Sequence, residues 1–186
     1  MSKLIGSSNF KAVLDTNVLY PAVVRDYLLW LATAEMYSPR WSEDLLTELT
    51  SVFERNNGST TPVEMIKEAF QFALVENYEK LTDTIELPDP KDRHVVAAAI
   101  KCNANRIITN NLKDFPNEYL EQFGLVAIHP DGFIADLIDL NPKACIEAYR
   151  QMVVIKENPP YSELEYLEVL RNNELIETAD ELSKYL

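Results

Sequence analysis

The chain predicts a three-layer α/β domain around a central parallel sheet, continued by a helical extension. Three observations predict it. Short apolar runs at Phe10–Leu14, Ile107–Thr109 and Leu125–Ile128 read as buried strands. Helical patterns separate these runs, so the strands are joined by crossovers and run parallel. From Asp131 onward every pattern is helical. The boundary therefore falls there, with 1–130 as the α/β domain and 131–186 as the extension.

Taken in order, the first strand at Phe10–Leu14 precedes a helix over about Val24–Tyr37, with Leu28, Leu31 and Ala32 inward. Ser38-Pro39-Arg40-Trp41 interrupts the helical pattern, and Ser42 is an N-cap for the next helix. That helix repeats Leu45, Leu46, Leu49, Val52 and Phe53 and breaks at Asn56-Asn57-Gly58-Ser59. Thr61-Pro62-Val63-Glu64 reads as a capping box opening a helix with Met65, Ile66, Ala69, Phe70, Ala73 and Leu74 inward. Asp89-Pro90-Lys91-Asp92 starts a helix running to about Asn103. The extension carries helical patterns near 133–139, 142–155, 162–172 and 178–186, split by Asn158-Pro159-Pro160. Ile146, Tyr149, Met152 and Val153 form a stripe that must be buried, either against the α/β domain or against another chain. Docking within the chain is the expected arrangement, because Phe133, Leu137 and Ile138 lead directly into it.

Composition excludes several classes. A hydrophobic content of 47 % argues against disorder. No apolar run reaches the roughly 20 residues of a membrane helix, and Met1–Gly6 lacks the apolar core of a secretory signal. Cys102 and Cys145 have no partner motif, so the cysteines point to neither a disulfide framework nor zinc, and a reducing cytoplasm is expected. The net charge of −13 is shared between residues 1–129, at −6, and 130–186, at −7. Such acidity disfavours non-specific duplex binding; nucleic acid would require bound cations and a local basic patch. It also leaves room for a basic protein partner.

The acids sit where α/β folds place chemistry, at the carboxyl ends of strands and the starts of helices. Asp15-Thr16-Asn17 follows the first strand, where a turn-forming role is the plain alternative to metal ligation. Glu48 lies about 100° from the centre of its helix's apolar stripe, a boundary position facing either a cleft or solvent. Asp89 before Pro90 is suited to capping, which leaves Asp92, at the head of the buried run Val95–Ile100, as the better ligand. Asp114 stands in the loop Thr109–Pro116 beside Asn111, with Phe115 packing down as an anchor; alone it reads as an ordinary turn acid. Converging carboxylates are hard oxygen donors for Mg²⁺ or Mn²⁺ and serve phosphodiester chemistry. His94 is read as packing or hydrogen-bonding within its helix, and it and His129 make no zinc set.

Together these segments resemble a PIN-domain ribonuclease. The likeness rests on Val13-Leu14-Asp15-Thr16-Asn17, Glu48, Asp92-Arg-His-Val-Val-Ala-Ala-Ala99 and Ile108-Thr109-Asn110-Asn111-Leu-Lys-Asp114-Phe115. It spans about residues 10–130, and the tail is similar to the C-terminal extension of a VapC-like toxin subgroup. The resemblance implies a divalent-metal endoribonuclease, the toxin of a toxin–antitoxin pair. Asp15, Glu48, Asp92 and Asp114 would be catalytic and hold Mg²⁺ or Mn²⁺, supported by Thr16, Asn17, Asp89, Thr109 and Asn111. Arg40, Arg93 and Lys113, beside the acids in sequence, are candidates for RNA phosphate contacts. An antitoxin would insert a basic side chain into the acidic site, and the extension would add to an antitoxin or homodimer surface. Two other readings compete. A haloacid-dehalogenase-like phosphohydrolase would need a second Asp where Asn17 stands, and the presence of all four acids argues against a silent PIN-like binding module.

Overall fold

The structure, a computed structural model, describes residues 10–186; the Met1–Gly6 reading lies outside the described residues. Five parallel strands run in the order β3-β2-β1-β4-β5. These are β1 (Lys11–Leu14), β2 (Ser38–Ser42), β3 (Leu74–Val75), β4 (Arg106–Ile108) and β5 (Val126–Ile128). The α/β domain contributes α1 (Thr16–Leu19), α2 (Ala22–Thr33), α3 (Glu43–Asn57), α4 (Thr61–Ala69), α5 (Glu79–Thr82), α6 (Arg93–Lys101) and α7 (Asn117–Leu120). The extension consists of α8 (Pro130–Leu140), α9 (Pro142–Val154), α10 (Glu163–Asn172) and α11 (Ile176–Ser183). None of the described helices is long and apolar enough to cross a membrane.

Strand alternation divides the apolar residues between two cores. Val13 and Ile107 face α6, whose Val95–Ala99 run is buried, together with Phe115 and Leu120. Ala12, Leu14 and Ile108 face the opposite layer, built from α2, α3 and the extension. Neighbouring side chains on a strand point to opposite faces, so both layers are filled from the same few residues. Because β1 leads to β2 on one side while β4 lies on the other, the order reverses between β1 and β4. Crevices at such reversals, outside the carboxyl ends of the strands, are where open α/β sheets bind ligands.

The structure corrects the sequence reading at several points. Ser38–Ser42 is an interior strand rather than a helix break: Pro39 pairs beside Ala12 and Arg40 beside Val13. Its proline and polar residues hide a strand that tertiary pairing imposes. The preceding helix ends at Thr33, not Tyr37, because Glu35 adopts φ 60°. Met36 N–H then bonds back to Leu31 O at 3.1 Å, turning the chain into β2. The box at Thr61–Glu64 does not form: Thr60 is the cap position without a side-chain cap bond, and its hydroxyl contacts Glu64 Oε1 at 3.2 Å. Along α4 only Val63 and Ile66 are buried, Met65 is 65 % exposed, and Leu74 belongs to β3. The apolar stripe there is wider than the surface that covers it.

The extension docks onto the α/β domain. Tyr27 of α2 donates to Cys145 O at 3.1 Å, and its ring meets Tyr149 edge-on. The stripe Ile146, Tyr149, Met152 and Val153 joins the same core as Leu28 and Leu31. At the far end of α9, Lys156 reaches back to Asp26 at 2.6 Å.

Candidate active site

Asp15 sits one residue past β1, at the reversal of strand order, and is 7 % exposed. Three donors fix its carboxylate. Thr16 N–H donates to Oδ1 at 2.7 Å, while Asn17 Nδ2 and Thr109 Oγ1 donate to Oδ2 at 2.6 and 2.8 Å. Asn17 is held in turn by the Asn110 backbone N–H at 2.9 Å and by Asn110 Nδ2 on its own carbonyl at 3.1 Å. The loop after β4 is thus stitched to the turn after β1. Asn110, which the sequence reading passed over, is the second half of that stitch. A carboxylate has about four lone-pair sites; with three engaged, Asp15 keeps capacity for one more partner. Burial pushes its pKa above the ordinary carboxylate range, against the hydrogen bonds from Thr109 and Thr16, with the Glu48 charge adding to the rise and His94 opposing it.

Glu48 arrives from α3. Its side chain is 46 % exposed, yet Thr16 Oγ1 donates to Oε2 at 3.1 Å and His94 Nε2 lies 3.4 Å from Oε1. The His94 contact, ahead of the opposing effect of burial, holds the Glu48 carboxyl below its usual range. His94 therefore does not bond within its own helix; it spans from α6 to β2 and α3. Its place at the second residue of α6 turns the ring toward the sheet edge, a consequence of packing that helical periodicity alone does not show.

Asp89 and Asp92 divide their roles. Asp89 Oδ1 accepts from Lys91 N–H at 2.9 Å and caps the short 3-10 turn Pro90–Asp92. Asp92 stands at the N-cap of α6 but makes no side-chain cap bond. Burial first, and then the charges of Asp15, Asp89, Asp114 and Glu48, push its pKa up to about 6. The carboxylates of three other segments, and that of neighbouring Asp89, are therefore felt at one carboxyl. Asp114 joins them from the turn Leu112–Asp114, where Asn111 Nδ2 donates to Oδ2 and buried Phe115 anchors the loop.

The bases are placed less evenly. Arg40 is turned away: its guanidinium bonds Ser38 Oγ and Pro39 O, both at 2.8 Å, lies over the Phe72 ring and acts on Cys102 at the far end of α6. The structure does not bring it to the acids. Lys113 is exposed beside Asp114. Arg93, next to Asp92, keeps a buried Nε without a hydrogen-bond partner. Lys91, absent from the sequence candidates, is close enough for its charge to help lower the Glu48 pKa.

Among the described residues no three histidine, cysteine or acidic side chains close into a ready coordination set. The donor chemistry nevertheless fits Mg²⁺ or Mn²⁺. All the converging donors are hard oxygens, and Mg²⁺ is ordinarily held by one or two carboxylates while keeping several waters. A mutually repelling group that raises Asp92 has reason to attract a cation.

A reversal point of a parallel sheet, lined by acids from separated segments, defines a carboxylate-centred α/β site. The PIN-domain family model matches residues 11–113, more than half of the chain, and the chain belongs to that family. Residues 130–184 match the VapC50 C-terminal domain. Over 80 residues the chain is 40 % identical to a curated ribonuclease VapC50 of Mycobacterium tuberculosis (strain ATCC 25618 / H37Rv), an activity that protein's name leaves provisional. The aligned part covers 43 % of this chain and 47 % of that protein, so the chain spans about half the length of the curated relative it matches. No solved structure matches the chain.

Proposed function

We propose that this protein is a divalent-metal-dependent endoribonuclease acting on single-stranded or looped RNA, and the toxin of a toxin–antitoxin pair. The observation that supports it most is the convergence on Asp92 of charge from Asp15, Asp89, Asp114 and Glu48. In this reading Asp15, Asp92 and Asp114 hold Mg²⁺ or Mn²⁺ and Glu48 completes the set directly or through water. A cation bound there acidifies water and offsets the negative charge that develops on the phosphate during hydrolysis. Thr109 and Asn17 orient Asp15, Asn111 orients Asp114, Thr16 orients Glu48, and Asp89 keeps the turn that presents Asp92. Arg93, Lys113 and Lys91 are the cations for substrate phosphates; Arg40 is dropped from that role by its position. Asn17 speaks against the dehalogenase-like alternative, because its amide clamps Asp15 instead of exchanging a proton with substrate.

The domain boundary near residue 130 is kept as the division between the nuclease part and the extension, and the cytoplasm as its location, where Cys102 and Cys145 stay free thiols. The antitoxin would enter the acid group with an Arg or Lys, which the repulsion at Asp92 favours. Incubation of single-stranded RNA with the purified protein, with Mn²⁺ or with chelator, tests the central reading. Cleavage is expected only with the cation and only with Asp15 intact. Cleavage that persists in chelator, or in a folded Asp15→Asn protein, overturns it.

A further inference from the structure

His94 is 6 % exposed and sits between α6, β2 and α3. Its Nδ1 is 2.8 Å from Ser42 Oγ, and Ser42, 1 % exposed, also caps α3 by accepting from Leu45 N–H at 3.1 Å. The α3 cap is complete without the ring, so capping does not account for the histidine. The other ring nitrogen, Nε2, is buried and lacks an aligned hydrogen bond, with Glu48 Oε1 at 3.4 Å. A buried N–H left without a partner is destabilising. Glu48 itself is restrained at its two oxygens separately, by Thr16 on Oε2 and by His94 beside Oε1. An exposed glutamate loses rotamer freedom on being fixed, and a neighbour that restrains it beforehand lowers that cost when a ligand binds.

We propose that His94 is a positioning residue: it bears a hydrogen on Nε2, takes its orientation from Ser42 and holds the Glu48 carboxylate toward the cation site. The inference rests on the metal-nuclease reading. Partners behind a metal-binding side chain typically contribute 10–100-fold in metal affinity. His94 acts only through Glu48, so its contribution vanishes once Glu48 can no longer serve.

Mn²⁺ titration by calorimetry on the full chain tests this with wild type, Glu48→Gln, His94→Leu, His94→Gln and the Glu48→Gln/His94→Leu double variant. His94→Leu should bind Mn²⁺ about 10–100-fold more weakly. His94→Gln, whose amide can reach Glu48, should recover part of that loss. In the Glu48→Gln background His94→Leu should add less than twofold. Equal Mn²⁺ affinity of His94→Leu and wild type, or equal losses with and without Glu48, overturns the inference and leaves the nuclease reading intact. No Mn²⁺ binding by wild type overturns both. Nitrogen-15 NMR of wild type needs no substitution of the buried ring: Nε2 carrying hydrogen is expected, and a ring protonated on Nδ1 alone overturns the proposal.

Discussion

The Thr109 hydroxyl donates to Asp15 Oδ2 at 2.8 Å, joining the ends of β1 and β4 across 94 residues of chain. The same oxygen accepts from Asn17 Nδ2 and from the Asn111 backbone N–H, each at 3.0 Å. One hydroxyl therefore both clamps the acid and closes the loop that carries Asp114. Thr109→Val keeps the shape and removes the oxygen, leaving Asp15 short of a donor and two N–H groups short of an acceptor. A loss of about 1–3 kcal/mol in urea unfolding is expected, with Thr109→Ser losing less than half as much. Equal stability of the valine and serine variants would show that the clamp is not holding the two ends together.

Asp89 and Asp92 are separable by paired substitution. Asp89→Asn keeps a side chain that caps nearly as well, so stability should change by only a few tenths of a kcal/mol. Cleavage by that variant should fall modestly. Asp92→Asn removes the carboxyl on which the other charges converge. Without added metal it should melt no lower than wild type, because the repulsion is relieved, and RNA cleavage should drop at least about 100-fold, on the order of one lost electrostatic contact in catalysis. Melting curves and initial rates on the same preparations check both halves; full activity in Asp92→Asn would move the centre of the site elsewhere.

The acids at element ends were legible because β1, β4 and the start of α6 are local features, and their positions survive folding. The sheet's other half was not. β2 is built from Ser38, Pro39 and Arg40, residues that carry no strand signal and pair only because β1 offers an open edge. β3 is two residues long and rests on β2 in the same way. Arg40 illustrates the consequence for the site. Its place beside the candidate acids in sequence suggested a phosphate contact, but the strand carries its guanidinium to Cys102 and Phe72. His94 and Asn110 were missed for a related reason, since their partners lie 52 and 93 residues away. The histidine at the fourth residue after Pro90, beside two candidate acids, was the one sequence signal that could have marked it.

The pH dependence of stability follows from Asp92. Its pKa is about 6 in the fold, above the ordinary 3.8, so between those values the folded chain binds more protons than the unfolded one. Stability from this group is therefore fully present below about pH 4 and is lost as pH rises through about 6. The carboxyl is about half-buried, and with solvent screening the effect is about 1 kcal/mol. Urea unfolding of the chelated protein at several pH values should show wild type losing stability relative to Asp92→Asn across this window. Glu48, whose pKa is lowered, acts with the opposite sign and only in more acid solution. A constant difference between wild type and Asp92→Asn from pH 4 to 7 would contradict the raised pKa.

The extension is fastened at its far end by Asp131. From the first turn of α8 its carboxylate accepts Glu177 N–H at 2.9 Å and Thr178 N–H at 2.8 Å, serving as the missing side-chain cap of α11. Thr178, fully buried, returns a hydroxyl bond to Asp131 O at 3.2 Å. Asp131→Ala should cost about 1 kcal/mol, the usual value of a lost cap, and Asp131→Asn less. Because the contact is confined to α8 and α11, the loss should appear as faster amide exchange in α11, with β1 and β4 unchanged below the global unfolding limit. Removing everything after residue 140 is the stronger perturbation: it uncovers Tyr27, Leu28 and Leu31, which α9 buries with Tyr149 and Met152. That truncated chain should aggregate or melt well below the full chain. A truncated chain that stays monodisperse and melts at the full-length temperature would show that the α/β domain does not depend on the extension for its core.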